Sequence, residues 1–331
     1  MSSGKEWLLG IEIGGSKLQL MEAELPGTIV RRQRITLEAG ENAWDIREHI
    51  ATALQLWQGT NWLAAGVGFG GPVDWKTGKI HCSHQIAGWD KMDLRGWLSA
   101  LINAPVAIDN DANVAALAEA CHGAGVGCSP VFYTNSGSGV GGGLVVDGKI
   151  YHGAPPGEAE LGHVRLTPSG PTVEESCSGW AVDRKVREHC ARRPSGILGT
   201  LAAQAPGSEA RHLKGALLAG DAAAKGILDE TAGALAFALS HVVHLFHPMM
   251  VILGGGLSLI GEPWRESVAN ALPQYLMRAF LPGPEIRLAA LGEDAVPIGA
   301  LLLAASTDNR HSFDYFTSAF PPASPCLPSP R

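Results

Sequence analysis

Three glycine-rich stretches each follow an apolar run that reads as a strand: GIEIGGSK (10–17), NSGSGVGGG (135–143) and ILGGGLS (252–258). Glycine lacks a Cβ, so successive backbone N–H groups can converge on an anion. Ser16 and Ser138 stand where a hydroxyl would add a donor. The Walker pattern needs Gly-Lys-Ser/Thr opening a helix, and the dinucleotide fingerprint needs a strand-to-helix turn. The first two stretches join strand to strand and fit neither. Any one of them is explained by a tight hairpin, but two matching hairpins in two matching stretches are less easily explained that way.

Carboxylates form the second group. DNDAN (109–113) sits between a short apolar strand and the alanine-rich VAALAEAC. One helix cap needs one of these residues, Asn110 or Asp111, and leaves the others for chemistry. A carboxylate at such a junction can accept a proton from a hydroxyl. GEAELGH (157–163) places Glu160 and His163 three residues apart after Pro155 and Pro156, and Glu174 and Glu175 precede SCSGW. Carboxylates and a neutral imidazole can each accept from a different O–H of a polyol.

The elements that must hold these residues follow from periodicity. Strands are expected over 7–13, 17–25 and 28–37, a helix over 43–58, and further strands over 62–69 and 105–108, with helix after Asn113. The pattern then restarts. A strand over 131–134, the second glycine turn and a strand over 143–146 lead into Asp147-Gly148, a two-residue hairpin turn. This weak internal duplication predicts two similar α/β lobes with a cleft between them. Helices over 179–193 and 221–246, a strand over 249–253, helical material to 280 and a helix over 298–305 complete the reading. Five prolines in the last eleven residues mark a Pro/Ser-rich tail.

Composition excludes several classes. The 331 residues are 46% hydrophobic and 17% charged, with a formal net charge of −7 and no Lys/Arg run longer than Arg31-Arg32 or Arg192-Arg193. That offers no basic face for nucleic acid. Six cysteines without a C-x-x-C spacing read as reduced thiols, not a disulfide scaffold. Ser240, His241, His244, His247 and Pro248 interrupt the most apolar region, 232–257, so a buried helix and strand are expected there and not a membrane span. The short apolar stretch before Glu12 does not read as a signal peptide. The expectation is a cytoplasmic protein. Glycine is abundant, with 42 residues, of which 18 fall within 10–17, 66–71, 123–143 and 254–256. This clustering reads as the footprint of a ligand cleft.

In order along residues 7–304, these motifs resemble the ROK family of repressors and sugar kinases, within the actin/hexokinase-like superfamily. GIEIGGSK is similar to the first phosphate motif GIDIGGTK, GFGGPVD (68–74) to G-x-P-G-P-V-D, and GWDKMDL (88–94) to the tryptophan-containing segment after it. IDNDAN resembles ENDAN, GSGVGGG resembles GTGIGGG, and ELGH resembles EIGH. ILGGGLS is similar to the adenosine-side glycine motif, and DAVPIGALLLA to the closing segment.

The resemblance implies two ribonuclease H-like α/β lobes around a central cleft: an N-terminal lobe over 1–118, a larger C-terminal lobe over 119–290, and a closing helix over 291–306 returning to the first. It implies an ATP- and Mg²⁺-dependent kinase acting on a hydroxyl, the 6-OH, of a hexose or N-acetylhexosamine. Asp111 then matches the catalytic base. Asn110, Glu160, His163 and Glu174 match sugar-binding positions, with Gly71 and Ser83 beside them. Gly14, Gly15, Ser16 and Lys17, with Gly137, Ser138 and Gly139, match the phosphate loops, and Gly254, Gly255 and Gly256 the nucleotide side. A homodimer is the family expectation.

Two departures stand out. Glu12 replaces the usual Asp, as in some fructokinase-like members. The family's zinc-binding cysteine segment is missing as well. Only VRLTPSGPTV separates His163 from Glu174, and Cys177 follows it. Without thiolates no four-coordinate zinc site can be assembled there, so neither zinc nor any other structural metal is expected. His241, His244 and His247 cannot share one helix face, and His81 and His84 read as ordinary cleft or surface residues. Cys121 and Cys128 read as buried thiols. A family repressor would carry a helix-turn-helix before the first motif. Nine residues precede Gly10, so the expectation is a kinase, with a catalytically weak sugar sensor as the alternative. The identity of the sugar, and ATP against polyphosphate as donor, stay open.

Overall fold

The computed structural model describes residues 6–307 except 26, 58, 59, 84, 156, 158 and 205. Beyond Thr307 the Pro/Ser-rich tail therefore lies outside the described residues, as do His84 and Pro156.

The chain divides into two compact units. One takes in Met1–Gly127, Gly143–Glu158 and the chain from Glu293, and the other takes in Cys128–Gly142 and Ala159–Gly292. The chain opens with β1 (Trp7–Ile13), β2 (Lys17–Glu24), β3 (Thr28–Thr36), α1 (Ala43–Leu56), β4 (Trp62–Phe69), the small hairpin β5 (Val73–Asp74) and β6 (Lys79–Ile80), α2 (Leu94–Ile102), β7 (Val106–Asn110) and α3 (Asp111–His122). Five of these strands form a sheet in the order β3-β2-β1-β4-β7. β1 pairs antiparallel with β2 and parallel with β4, and β4 runs parallel to β7. Leu9, Ile11, Val67 and Ile108 from this sheet, with Ile46 and Ile50 from α1, are almost fully buried in one core. β3, the edge strand, alternates exposed and half-buried residues and carries Arg31, Arg32 and Arg34, as suits an edge facing water.

The continuing chain forms β8 (Val131–Ser136), β9 (Val140–Val146), β10 (Lys149–Ile150), α4 (Val173–Cys177), α5 (Gly179–Arg192), α6 (Ile197–Ala202), α7 (Leu213–Leu218), α8 (Ala222–Phe246), β11 (Met250–Gly254), α9 (Glu262–Ala271), β12 (Glu285–Leu288) and α10 (Ala295–Ala305). The second sheet runs β10-β9-β8-β11-β12, with β11 parallel to β8 and β12. Asp147 and Gly148, at φ 49° and 71°, make the β9–β10 turn that their residue types predict. α8 is long and apolar enough to cross a membrane on length and composition alone. It is also the central helix of the second unit, packed against α4, α5, α7 and α9.

α10 belongs to the first unit and packs on β1, β4 and α3. Its backbone comes so close that a Cβ at Gly66 would collide with the Ala300 carbonyl, and one at Gly299 with that of Val114. Gly10 likewise faces Pro297 O, with only 2.7 Å for a Cβ. These glycines serve helix-to-sheet packing, which corrects the reading of the whole glycine surplus as a ligand footprint.

Candidate active site

In the first unit, Asp111 is the first residue of α3, and the sequence-based boundary after Asn113 is three residues late. Asn110 is the N-cap. Its side-chain oxygen accepts from the N–H of Ala112 at 2.9 Å and of Asn113 at 3.4 Å, and its Nδ2 donates to Gly71 O at 3.2 Å. Asp111 is half-buried beside Gly70. A Cβ on Gly70 would stand 3.4 Å from Asp111 Oδ2 and 3.5 Å from Gly14 Cα. The Gly70 N–H donates to Ile13 O at 2.8 Å. Gly70 therefore lies between the carboxylate of DNDAN and the first glycine turn. Asn110, Asp111, Gly71 and Gly14 are brought together here. Ser83 Oγ accepts from Ile86 N–H at 3.2 Å and closes a turn after β6.

The first glycine turn closes through Gly14 N–H to Lys17 O at 2.9 Å and leaves Gly15 and Ser16 exposed. Beneath it, Glu12 is 4% exposed. Its carboxylate meets Lys17 Nζ at 3.1 Å and accepts from Gln19 Nε2 at 2.5 Å. Burial outweighs Lys17 and Gln19 and holds the Glu12 carboxyl above its usual value.

In the second unit the glycine turn is tighter than the sequence suggests, because β9 already begins at Val140. Gly137 N–H donates to Gly139 O at 2.9 Å, and Gly137 O accepts from Gly179 N–H, the first residue of α5, at 2.6 Å. Glu174 Oε2 accepts from Val140 N–H at 3.0 Å and also occupies the space a Cβ on Gly139 would need. Glu174, read from sequence among the sugar-binding positions, thus braces this turn. Its neighbour Glu175 instead completes a capping box with Thr172 at the start of α4. Gly255, at φ 76°, lies against Ser136, which joins the third glycine turn, Gly254–Gly256, to the second. Glu160 and His163 form a separate exposed pair, 3.8 Å apart.

A cavity of about 500 Å³ in the second unit is lined by Ser136, Gly137, Ser138, Trp180, Asp183, Arg211, Lys214, Gly256 and Leu257. The sequence reading did not include Trp180, Arg211 and Lys214. They are isolated residues on α5, α7 and the turn before α7, and no local spacing marks them. Among the described residues no group of three or more His, Cys, Asp or Glu could hold a metal ion. Burial pushes the thiols of Cys121 and Cys177 up to about 12, and Cys177 sits in α4 with its Sγ 3.6 Å from Thr231 O.

A family model described as the ROK family matches residues 8–307. This chain belongs to the ROK family. It is 32% identical over 306 residues to a glucokinase of Thermotoga maritima, covering 88% of this chain and 95% of that one. It is similar to the structure of a ROK family glucokinase from Streptomyces griseus in complex with glucose and AMPPNP: TM-score 0.79, 28% identity, 92% of this chain and 100% of the other. A ROK hexokinase from Thermus thermophilus matches with TM-score 0.74 and 29% identity over 91% of this chain and 98% of that one. The fold is accordingly the actin/hexokinase-like α/β class, and these matches support a hexokinase-type kinase of the ROK family.

Proposed function

We propose that this ROK protein is an ATP-dependent sugar kinase that transfers the γ-phosphoryl group to a hydroxyl, the 6-OH, of a hexose or N-acetylhexosamine. The observation that carries the reading is the placement of Asp111 at the head of α3 against Gly70 and the first glycine turn. Phosphoryl transfer asks little covalent work of a protein. It needs an in-line nucleophile, a base to take its proton and donors for the phosphate charge. Asp111 is assigned the base, and Asn110, Gly71, Ser83, Glu160 and His163 the sugar. Glu174 acts through the second turn, and its assignment to the sugar is kept as part of the same proposal. Gly14–Lys17 and Gly137–Gly139 are assigned to phosphate oxygens and Gly254–Gly256 to the nucleotide side. Trp180, Arg211 and Lys214 add an aromatic face and two cations in the cavity that Gly137 and Gly256 line.

Mg²⁺ is usually held by one or two carboxylates together with substrate phosphates. Glu12, the buried carboxylate under the first turn, fits that donor set, and the ion would neutralise phosphate charge when bound. Lys17 shares the same carboxylate and supplies a fixed cation beside it. The protein is further proposed to work in the cytoplasm as a homodimer.

The test is a panel of hexoses and N-acetylhexosamines with ADP release as readout, repeated with Asp111→Asn. Loss of the base is expected to lower kcat by about 10²–10⁴-fold while calorimetry still detects sugar binding. A variant with wild-type kcat would remove Asp111 from the mechanism. The engagement of Glu12 by Lys17 and Gln19 favours one other reading, a sugar-binding sensor of weak activity. Sugar binding without ADP release across the panel would select it. Competition between ATP and polyphosphate would assign the donor.

A further inference from the structure

We infer that His152, outside every motif that marks the site, is a positioning residue for Asp111, acting through the buried carboxylate of Asp109. Asp109 is 3% exposed. Its Oδ1 accepts from the backbone N–H of Asn110 at 2.8 Å and from the side-chain Nδ2 of Asn113 at 3.0 Å. It therefore grips the chain on both sides of Asp111, at the cap of α3 and in its first turn. The other oxygen, Oδ2, meets His152 Nε2 at 2.6 Å. A carboxylate oxygen is an acceptor, so the ring N–H donates.

The ring itself is fixed, since His152 stacks on Trp75 with centroids 4.1 Å apart and planes 17° from parallel. A buried carboxylate that loses its partner is strongly destabilised and must either take up a proton or shift. Either response reaches the Asn110 N–H and Asn113, and with them the carboxylate between. Misplacing a reacting group by about 1 Å can cost about 10²-fold in rate. His152 also lines a cavity of about 640 Å³ in the first unit, along with Trp75, Lys76, Arg95 and Asp109. A truncated side chain would leave space continuous with that cavity, where a small molecule can take the place of the ring.

The activity readout rests on the kinase reading, so the experiment carries a second readout that does not. Wild type, His152→Ala and His152→Gln are compared in ADP release with the best sugar of the panel. Hydrogen exchange at the Ala112 and Asn113 amides is followed in the same proteins. The expected result is a fall in kcat of about 10–100-fold for His152→Ala with KM for ATP within twofold. Added imidazole is expected to restore part of the loss. His152→Gln, which keeps a donor, should lie between, and it carries the test if the Ala variant does not fold. Retention of wild-type kcat within twofold in the Ala variant overturns the inference, and so does an equal rise in KM for ATP. If wild type releases no ADP with any sugar, the kinase reading fails by itself. Exchange then decides: faster exchange at Ala112 and Asn113 in His152→Ala supports the positioning role, and unchanged exchange overturns it.

Discussion

The two strand–glycine–strand turns solve one problem by different means. The first, at Gly14–Lys17, is braced by charge: a buried glutamate under the turn pairs with the lysine at its end, while Gly15 and Ser16 face water. The second, at Gly137–Gly139, is braced by packing and by neutral donors. Glu174 takes the Val140 N–H, the start of α5 donates to Gly137 O, and Gly255 presses on Ser136. A turn held by an ion pair depends on pH and salt, whereas one held by backbone contacts depends on the side-chain volumes around it.

The largest expected effect tests the packed turn. Gly255 combines φ 76° with a Cβ position 2.6 Å from Ser136 backbone atoms. Gly255→Ala should destabilise the protein by roughly 2–5 kcal/mol, from left-handed strain and overpacking together. Urea unfolding followed by circular dichroism measures it, and a change under 1 kcal/mol would mean that the contact relaxes freely. Glu174→Ala removes the acceptor of the Val140 N–H and should cost about 1 kcal/mol, with KM rising for both ATP and sugar. An unchanged KM for sugar would remove Glu174 from the sugar and leave it the bracing role alone.

Gly137 is the sharper probe, because its φ is ordinary and nothing lies within 4 Å of where its Cβ would go. The fold has no use for glycine there. If phosphate approaches that backbone, Gly137→Ala should raise KM for ATP roughly fivefold, the equivalent of one hydrogen bond at ~1 kcal/mol, with the melting temperature unchanged. Unaltered nucleotide kinetics would separate this turn from the phosphates.

The smallest effect belongs to the charged turn. The folded chain holds a proton on Glu12 more tightly than the unfolded chain, whose carboxyl has the usual value of 4.5. Stability is therefore lost as pH rises from 4.5 through the folded value, and Glu12→Gln removes that loss. The melting temperature of the variant should match wild type below pH 4.5, then exceed it by a small margin that levels off above the folded value. A difference independent of pH would show that Lys17 and Gln19 offset the burial.

Much of this was legible in the residues. Strand spacing around GIEIGGSK placed β1 and β2 almost to the residue, and Asp147-Gly148 placed the β9–β10 turn, since alternation and positive-φ turns are local signals. β9, however, begins three residues before the expected strand. DNDAN marked Asp111, but the start of α3 was read three residues late, because a run of polar residues hides which one caps. Gly10 and Gly66 fall in stretches read together as a ligand footprint, although α10, more than 200 residues later, is what requires them. His152 and Trp180 gave no signal. One takes its role from Asp109 across the fold, and the other from a cavity wall assembled by three distant segments.

The return of α10 to the first sheet also sets an order of events during synthesis. Phe69 ends β4 and Ala295 begins α10, about 226 residues apart. At ~5–20 residues per second a ribosome needs roughly 10–45 s to cover that distance. Throughout that interval the glycine-lined face of β1 and β4 lacks the helix that packs on it most, although α3 also touches β4. The nascent first unit is thus left with an apolar wound that α10 dresses late. Fragments that stop before residue 295 are therefore expected to leave that face open, and binding of a hydrophobic dye to them would check it.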